Sequence, residues 1–482
     1  MSCHPFARFV AFSLAISFGS AQLGAQTEPA TSSSPALPPS QSSDHPGEDS
    51  QALLNGIVFD QVWVIIRDTH PDPSINQGQW NETRLQLRDR AVAATDAESL
   101  RSVLRDMLDT LGESHFAIIP NSVAGSPGAV GGWSGMTLHV FGDEVVVTRI
   151  DPRSPAEVAG IKPGWVFVSS DGDPIAPLLK EFGAPRTSLE RLARDSAVGA
   201  FIGGRPGMSP KYLLRDPAGV EHEVVITFED LPGEQVKMGN LPPLAAQSKW
   251  GWLTMDEMTS AGGDPTKTGR VGYLTFSVWM TALSTIIDDA LTEFRSADAV
   301  IIDLRGNPGG LGMMATGVAG HFLAEPTSLG TMQGRGMKLD FKSNPRTVDR
   351  AGKSIGVFTG PVAILMDGHT GSTSEIFAAG LLDVGRAQPF GQTSAGAALP
   401  ATTHNLKNGD VLLHAIGDFK TPSGMLIEGR GVSQQVGSAP TRIDYTSCSN
   451  PELRDALRWI ADERSKIQAR LPTPQPAKQT SP

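Results

Sequence analysis

The chain has 482 residues, which is more than one hydrophobic core usually organises, so we expect two or three domains. Its hydrophobic content of 39%, its charged content of 19% and its formal net charge of −11 are typical of a globular protein. An acidic chain of this kind lacks the basic surface that nucleic-acid binding requires, so the composition excludes a nucleic-acid partner.

Residues 1–25 have the pattern of a cleavable signal peptide. Arg8 precedes the apolar stretch FVAFSLAISFGSA, and sites with small residues end at Ala21 and Ala25. The stretch is shorter than the roughly 20 residues that a transmembrane helix needs, and no later segment is apolar over that length. The pattern therefore predicts export without a membrane span. The periplasm is the expected compartment, secretion is the alternative, and a cytosolic protein with an apolar N-terminal helix is the competing interpretation.

Residues 26–50 are rich in serine, proline and acidic residues. Such a composition cannot bury enough apolar surface to order itself, so it predicts a disordered linker. Cleavage of the signal peptide would remove Cys3 and leave Cys448 as the one cysteine of the mature chain. We therefore expect no internal disulfide.

Apolar residues recur at helical spacing in residues 51–124, first around Phe59 and then from Leu100 to Leu111. The second helix has end signals of its own. Thr95 and Glu98 fit a capping box before it, and Gly112 suits the position just beyond its last turn. The pattern predicts an N-terminal helical domain.

Residues 125–232 contain short β-type runs, and the segment SPAEVAGIKPGW separates the second run from the third. The runs are MTLHVF, EVVVTRI, WVFVSSDG and EHEVVITF. This arrangement resembles a PDZ domain. The resemblance implies that the loop at Gly135, Met136, Thr137 and Leu138 binds the C-terminal carboxylate of a peptide through backbone amides. An inert β sandwich, or a PDZ-like domain used only as a lid, is the alternative.

Residues 233–470 alternate between strand-like and helix-like segments, which predicts an α/β core that ends in an amphipathic helix. Residues 471–482 are predicted to be a disordered tail. The predicted fold class is thus multidomain α+β, with an N-terminal helical domain, a PDZ-like β domain and an α/β peptidase core. The strand-like runs of the core are VGYLTFSVW, AVIIDLRG, PVAILMD and RAQPFGQ.

Three separated motifs carry a family resemblance: LGESHF at 111–116, DLRGNPGG at 303–310 and GSTSEIF at 371–377. The last follows an apolar run and a glycine-containing turn, which is the spacing of a strand-to-helix elbow that exposes a serine. Over roughly residues 55–465 the chain resembles the family of the C-terminal processing peptidases, the tricorn protease core and interphotoreceptor retinoid-binding protein. The resemblance implies a serine peptidase with Ser372 as its nucleophile.

The base that would accept the proton of Ser372 differs between branches of this family. The lysine of the processing peptidases corresponds to Ala397, so the Ser-Lys dyad does not carry over. The tricorn-like branch implies His115 as general base, with Ser114 and Glu428 as orienting residues. The pKa of a histidine base also needs little adjustment, because its unperturbed value is about 6.5. The pKa of a lysine base must be lowered by roughly 3 units from about 10.4.

Three features leave alternatives to this assignment. The residues after Glu428 depart from the family pattern, since residues 431–435 read GVSQQ where relatives usually read Gly-Val-x-Pro-Asp. His369 and His404 are competing candidates for the base. Ser372 and Glu375 also fit an S-x-x-E helix cap, which is the purely structural interpretation of that pair.

The resemblance also implies an oxyanion hole. One donor would be the Thr373 amide at the start of the helix, and the other would come from the glycine-rich turn, with Gly310 preferred to Gly309. Asp303 and Arg305 are expected to hold that turn in place without taking part in catalysis.

The sequence thus predicts a serine-type endopeptidase that acts on proteins or peptides through an acyl-enzyme. We expect no metal and no cofactor, because no ligand cluster or phosphate loop is visible in the sequence. A catalytically inactive relative that binds a peptide C-terminus or an apolar ligand is the alternative, and the missing lysine favours it. The sequence leaves the oligomeric state open.

Overall fold

The computed structural model describes residues 47–121, 131–349 and 351–470. The predicted signal peptide and tail lie outside these ranges, as does most of the predicted linker. The first helix begins at Gly47, so the last four residues predicted as linker are helical. Polar and acidic residues are common both in linkers and in first helical turns, so composition does not locate this boundary. No helix in the described ranges has the length and apolarity needed to cross a bilayer.

Three helices and a short strand form the N-terminal part of the described chain. The helices bury Phe59, Trp80 and Leu104 in a shared core that also contains Leu406 and Leu412 from a later hairpin. This contact places the segment after the third helix against the rest of the protein. The elements are α1 (Gly47–Thr69), α2 (Gln79–Val92), α3 (Ala97–Asp109) and β1 (Ala117–Ile119), with a 3-10 turn at Pro73–Gln77.

The predicted capping box of α3 is wrong by one residue. Asp96 is the N-cap, and its side chain accepts a hydrogen bond from the Ser99 N–H at 2.8 Å. Aspartate is as good a cap as threonine, and here it lies directly before the first helical residue. Gly112 adopts a φ of 66°, as its predicted position beyond the helix requires.

The middle of the chain forms a six-stranded antiparallel sheet in which β3, β4, β5, β7 and β8 are neighbours in that order and β6 pairs with β5. Helix α6 packs beside β3, which lies at one edge of the sheet. The predicted runs at residues 136–141 and 144–150 are confirmed as strands with those bounds. The elements are β2 (Gly132–Trp133), β3 (Met136–Phe141), β4 (Glu144–Ile150), α4 (Pro155–Val158), β5 (Val166–Ser170), β6 (Asp173–Pro174), α5 (Ala176–Phe182), α6 (Ser188–Gly199), β7 (Lys211–Arg215), β8 (Glu221–Val225) and β9 (Glu229–Asp230), with a 3-10 turn at Ala200–Ile202.

The C-terminal part is built on a five-stranded sheet, β12-β13-β14-β17-β18, in which only β12 is antiparallel to its neighbour. Alternate residues of its strands enter two cores on opposite faces. Ile302 and Ile364 contribute to one core, and Ile301 and Leu365 to the other. The sheet elements are β12 (Ser248–Trp252), β13 (Val271–Phe276), β14 (Ala299–Asp303), β17 (Val362–Met366) and β18 (Gln388–Gly391).

Helices and smaller sheets cover this central sheet. Small sheets join β1 to β20 and β19, β16 to β15 and β21, β10 to β11, and β2 to β9. The remaining elements are β10 (Glu234–Val236), β11 (Leu244–Ala246), α7 (Met255–Ser260), α8 (Pro265–Thr268), α9 (Ser284–Glu293), α10 (Gly312–Ala319), β15 (Ser328–Gly334), β16 (Met337–Lys342), α11 (Thr373–Asp383), β19 (Ala401–Asn405), β20 (Val411–Ala415), β21 (Gly417–Lys420), α12 (Arg442–Ser447) and α13 (Pro451–Arg470), with 3-10 turns at Thr281–Leu283 and Phe294–Ser296.

The predicted mixed α+β class is therefore confirmed. The domain boundaries at residues 124 and 232 stay predictions. Two consequences matter for function. The carboxyl ends of β14 and β17 lie side by side, and the pairing of β1 with β20 brings the end of the helical part to the same region of the protein.

Candidate active site

Ser372 lies in a sharp elbow between β17 and α11. Its φ of 53° and ψ of −118° are a backbone conformation that costs free energy in a non-glycine residue. The predicted exposure of the serine is wrong, because its side chain is fully buried beneath the neighbouring glycine-rich turn. Its Oγ has no hydrogen-bond partner among the described residues. The Glu375 N–H donates to the Ser372 carbonyl oxygen at 2.8 Å, so the Ser372 hydroxyl is not spent on capping the helix.

The glycine-rich turn after β14 packs directly against this elbow. The Gly371 N–H donates to the Asn307 carbonyl at 3.0 Å, and the Thr373 hydroxyl donates to the Gly310 carbonyl at 2.8 Å. Gly309 has a φ of 108°, and a Cβ there would lie 2.6 Å from the Ser372 Cβ. Only glycine allows this close approach, which explains its presence in the motif.

Asp303 and Arg305 stabilise the same turn through buried side-chain hydrogen bonds. The Arg305 Nε donates to Asp303 Oδ1 at 2.9 Å, and the Tyr273 hydroxyl donates to Asp303 Oδ2 at 2.6 Å. Arg305 also reaches Glu452 of α13 at 3.0 Å. The Asp303 and Arg305 side chains thus form a buried ion pair within the scaffold of the turn.

Ser114, His115 and Glu428 come together although the sequence separates them widely. The Ser114 hydroxyl donates to Glu428 Oε2 at 2.9 Å, and the Ser114 N–H donates to Oε1 at 2.7 Å. The Ser114 Oγ is also 2.7 Å from His115 Nδ1. When Glu428 is ionised, it accepts the serine proton, so Nδ1 is the donor in this contact and the lone pair of the neutral imidazole lies on Nε2.

His115 itself is buried, with a φ of 62°. It follows α3 and precedes β1, whose pairing with β20 fixes where the Ser-His pair lies. A positive φ in a residue with a bulky side chain is uncommon, and strained residues of this kind cluster at functional sites. His115 and Ser372 are two of the four non-glycine residues with positive φ in the described chain.

A short segment at residues 397–398 connects the serine elbow to the Ser114-Glu428 pair. The Ser372 N–H donates to the Ala397 carbonyl at 2.9 Å, and the Ala398 N–H donates to Glu428 Oε2 at 3.0 Å. Ala397, which stands where the processing peptidases have lysine, is fully buried. Its backbone therefore ties the two halves of the candidate site together.

Comparisons with known proteins decide the family. Residues 270–437, which include the glycine-rich turn, the Ser372 elbow and Glu428, match the model for peptidase family S41. The chain therefore contains an S41 peptidase domain at residues 270–437. It is a serine-type peptidase.

Curated relatives are similar in sequence to this S41 peptidase along most of its length. It is 26% identical over 400 residues to carboxyl-terminal-processing peptidase 3, chloroplastic, of Arabidopsis thaliana, covering 80% of this chain and 69% of the relative. It is 23% identical over 401 residues to the carboxyl-terminal-processing protease of Synechocystis sp., covering 81% and 82%. A solved structure of the photosystem II D1 C-terminal processing protease matches with a TM-score of 0.52 at 20% identity, covering 84% and 98%.

Two buried carboxyl groups of this S41 peptidase have raised pKa values. Burial raises the pKa of Glu428 to about 7, against hydrogen bonds from Ser114 and Ala398 that lower it. Burial also raises the pKa of Glu375, although this carboxyl accepts from the Ser394 hydroxyl and from three backbone N–H groups. Those groups belong to Ser372, Gly396 and Ala397, at 3.0, 2.7 and 2.9 Å. Glu375 thus anchors the loop that carries Ala397, a role that its S-x-x-E spacing did not reveal.

The competing histidines of the S41 peptidase lie in other contacts. His369 is half-buried in the turn before Ser372, with its ring centroid 5.4 Å from that of His139. His404 stacks on His414 at 5.0 Å. Neither makes a hydrogen bond to the Ser372 Oγ, and His115 does not either, since this Oγ has no partner among the described residues.

A groove of about 310 Å³ lies between the edge strand β3 and helix α6. We call it the β3-α6 groove. It is lined by Met136, Thr137 and Leu138, which the sequence singled out, and the neighbouring Gly135 packs against Ser154, where a Cβ would lie 2.0 Å from the Ser154 Cβ. Its far wall consists of core residues next to the elbow, including Pro308, His369 and Ala395. Arg149 also lines it, a cation that the sequence analysis missed because no local motif marks it.

Proposed function

We propose that this S41 peptidase is exported and cleaves peptide bonds in protein or peptide substrates through an acyl-enzyme on Ser372, with His115 as general base. The proposal rests on the continuous series of hydrogen bonds from Glu428 through Ser114 to His115 Nδ1. Residues 397–398 connect this series to the Ser372 elbow through the Ala398 N–H and the Ala397 carbonyl.

The chemistry follows from the tautomer of His115. Its Nε2 accepts the proton of Ser372 as Oγ bonds to the substrate carbonyl carbon, and the carbonyl oxygen becomes an oxyanion. His115 then returns the proton to the amine as the carbon–nitrogen bond breaks, leaving the acyl-enzyme. A water molecule, deprotonated in the same way, hydrolyses the ester and restores Ser372.

Ser114 and Glu428 would orient the imidazole and balance its charge. When His115 is protonated, its Nδ1–H donates to Ser114, whose hydroxyl proton points to the Glu428 carboxylate. Such a fixed partner keeps the lone pair on Nε2 and stabilises the imidazolium.

The oxyanion would be bound by the N–H groups of Gly310 and Thr373. Gly309 is less suitable than Gly310, because its N–H already donates to Asn307 Oδ1 at 3.0 Å. Thr373 begins α11, so its amide lies at the positive end of the helix dipole.

Labelling with a fluorophosphonate probe tests the proposed function. We expect covalent modification of Ser372, its absence in Ser372→Ala, and its retention in Ser374→Ala, a neighbouring buried serine that serves as a matched control. Persistent failure to label the folded protein between pH 6 and pH 9 would favour the alternative, a catalytically inactive protein that binds a peptide C-terminus or an apolar ligand.

We further propose that the β3-α6 groove binds the C-terminus of the substrate in a PDZ-like manner. Strand β3 is at the sheet edge and can accept an added strand, and Arg149 offers a cation to a terminal carboxylate. The expected result is at least about tenfold weaker binding of a peptide whose C-terminus is amidated, since an uncharged end loses its charged partner. Fluorescence anisotropy of paired peptides on Ser372→Ala protein measures this. Equal affinities would instead make this region a lid or spacer.

Export rests on the N-terminal sequence, with the periplasm as the expected compartment and secretion as the alternative. N-terminal sequencing of protein recovered from outside the cytoplasm should give a chain beginning at Gln22 or Gln26. Recovery there of chains that retain Met1 contradicts the proposal.

A further inference from the structure

Three potential metal ligands from two separate parts of the fold meet beside the serine elbow. They are His139 in β3 and the pair Asp367 and His369 in the turn between β17 and α11. One ligand atom from each residue can be chosen so that all lie within 4.8 Å of one another. The proposed catalytic residues do not include these three, and the sequence gave no reason to expect a metal.

The hydrogen bonds of His139 leave one ring nitrogen available. Its Nδ1 lies 2.7 Å from the Thr148 hydroxyl, and that hydroxyl donates to the Thr137 carbonyl at 3.3 Å. Nδ1 must therefore donate, so the lone pair of the neutral ring lies on Nε2. A histidine that binds a metal through one nitrogen almost always donates a hydrogen bond from the other, as His139 does to Thr148.

The Nε2 of His139 is buried and has no hydrogen-bond partner within the described ranges. The side chain is 3% exposed, and Nε2 lies 3.9 Å from Asp367 Oδ2, too far for a hydrogen bond. Buried polar atoms without partners are rare and call for a specific explanation. A metal ion between Nε2 and Asp367 Oδ2 would give Nε2 the partner that it lacks.

Asp367 directs one of its two carboxylate oxygens toward His139. Its Oδ1 accepts from the N–H groups of Gly306 and His369, each at 3.0 Å, and Oδ2 faces His139. A carboxylate and a neutral imidazole are the forms of these side chains that bind metal ions.

Neighbouring charges are already partly balanced. The positive charge of Arg149 acts on the Asp367 carboxylate. The Arg149 Nε lies 3.3 Å from Asp151 Oδ1. Asp195 is paired with Arg194 at 2.9 Å. A divalent ion at the cluster would therefore be attracted by the Asp367 carboxylate. Its repulsion by Arg149 would be reduced, because Asp151 partly balances the Arg149 charge.

We propose that His139, Asp367 and His369 form a binding site for a divalent transition-metal ion, with Zn²⁺ as the best match. Two imidazoles and one carboxylate are a ligand set that holds Zn²⁺ with a fourth position open. Tetrahedral bonds of about 2.0 to 2.1 Å place ligand atoms about 3.3 Å apart, so the ligands must close by on the order of 1 Å. His369, half-buried in a turn, is the ligand able to make this movement.

Occupancy would join strand β3 to the turn that precedes Ser372. His369 also lines the β3-α6 groove, so a bound ion and its fourth ligand would stand at the groove wall. We therefore expect Zn²⁺ to inhibit the peptidase by raising KM for substrates that enter the groove. This consequence rests on the proposed function, whereas the binding of the ion does not.

Calorimetric titration of the mature chain carrying Ser372→Ala, freed of metal with EDTA, tests the site without reference to activity. We expect one Zn²⁺ per chain. His139→Gln and Asp367→Asn should each weaken binding by at least about tenfold, and Thr148→Val by about 10- to 100-fold, because Thr148 orients the ligand. His222→Gln is the matched control, since His222 faces Asp216 at 3.0 Å on the surface, and it should leave the affinity unchanged.

The same affinity in the parent protein and in His139→Gln would overturn the proposal, as would the absence of binding in the parent. If His139→Gln fails to fold, as judged by circular dichroism, His369→Gln at a half-buried turn position gives the same comparison. In the active chain, bound Zn²⁺ without a rise in KM would overturn the inhibition alone. Stoichiometric binding to a protein that shows no peptidase activity would support the site and contradict the proposed function.

Discussion

Replacing His115 with alanine is expected to lower kcat/KM by at least about 10²-fold, because a positioned general base contributes about 10²- to 10⁴-fold. His115 is joined through Ser114 to the Glu428 carboxylate, the arrangement that suits a general base. Steady-state cleavage of a fluorogenic peptide measures the effect. Ser372→Ala should be equally inactive, and the double variant should be little worse, since residues that act as a unit are not additive.

Two controls make this result specific. His404→Ala removes a histidine that stacks on His414, away from the elbow, and should retain nearly full activity. A lysine introduced at Ala397 should not rescue His115→Ala, because Ala397 is fully buried and its backbone already bonds to Ser372 and Glu375. A folded His115→Ala variant that cleaves at the wild-type rate contradicts the assignment.

The pH profile separates orientation by Glu428 from proton transfer by His115. Since the pKa of Glu428 is about 7, its ionised form increases as pH rises through neutrality, and activity should rise with it. Glu428→Gln should be milder than His115→Ala and should lose the part of this rise that Glu428 contributes. The effect on folding has the opposite sign. A pKa raised above 4.5 means that the folded state holds the proton more tightly, so this contribution to stability falls between about pH 4.5 and pH 7.

Replacing Glu375 with alanine is expected to lower the free energy of unfolding by about 3 kcal/mol or more. The change leaves the Ser394 hydroxyl and the Gly396 and Ala397 N–H groups without their acceptor, and each such loss costs about 1 to 3 kcal/mol before relaxation. The Ser372 N–H keeps the Ala397 carbonyl as its acceptor. Urea denaturation followed by tryptophan fluorescence measures it. Activity should fall as well, because the same bonds hold the loop that reaches both Ser372 and Glu428.

Glu257 is the matched control for this prediction. It also stands at the third position of a helix and accepts from the Thr254 N–H at 2.8 Å, but it is exposed. Glu257→Ala should therefore cost only about 1 kcal/mol. Equal losses for the two variants would mean that Glu375 is an ordinary helix cap, and the burial argument would be wrong.

Local patterns predicted the strands well. The alternating run at residues 136–141 is a strand with those bounds, and the buried run that ends at Met366 continues into the predicted turn and helix. The helix boundaries were less accurate. The start of α1 and the cap of α3 depend on which of several adjacent polar residues takes the cap, and several of the candidates are nearly equivalent in free energy.

Contacts between distant residues could not be derived from local patterns. The proximity of Ser114 to Glu428 was expected from a family resemblance alone, because no spacing rule links residues 314 positions apart. The cluster of His139 with Asp367 was missed, since His139 lies in a strand of the six-stranded sheet and Asp367 lies in the turn after β17. Arg149 was missed for the same reason, because its position beside the β3-α6 groove depends on how the six-stranded sheet packs against the core.

The wide separation of Ser114 from Glu428 in the sequence also determines when the proposed catalytic site can form during synthesis of the chain. Because the N-terminus is made first, a ribosome-bound chain contains the Ser-His pair long before Glu428 has been synthesised. Contacts between residues this far apart in the sequence form slowly, because the entropy of loop closure must be overcome first, so we expect the proposed site to assemble late. An unfinished or truncated chain is thus expected to be inert. For a peptidase proposed to leave the cytoplasm, this order of assembly protects the proteins of the cell that synthesises it.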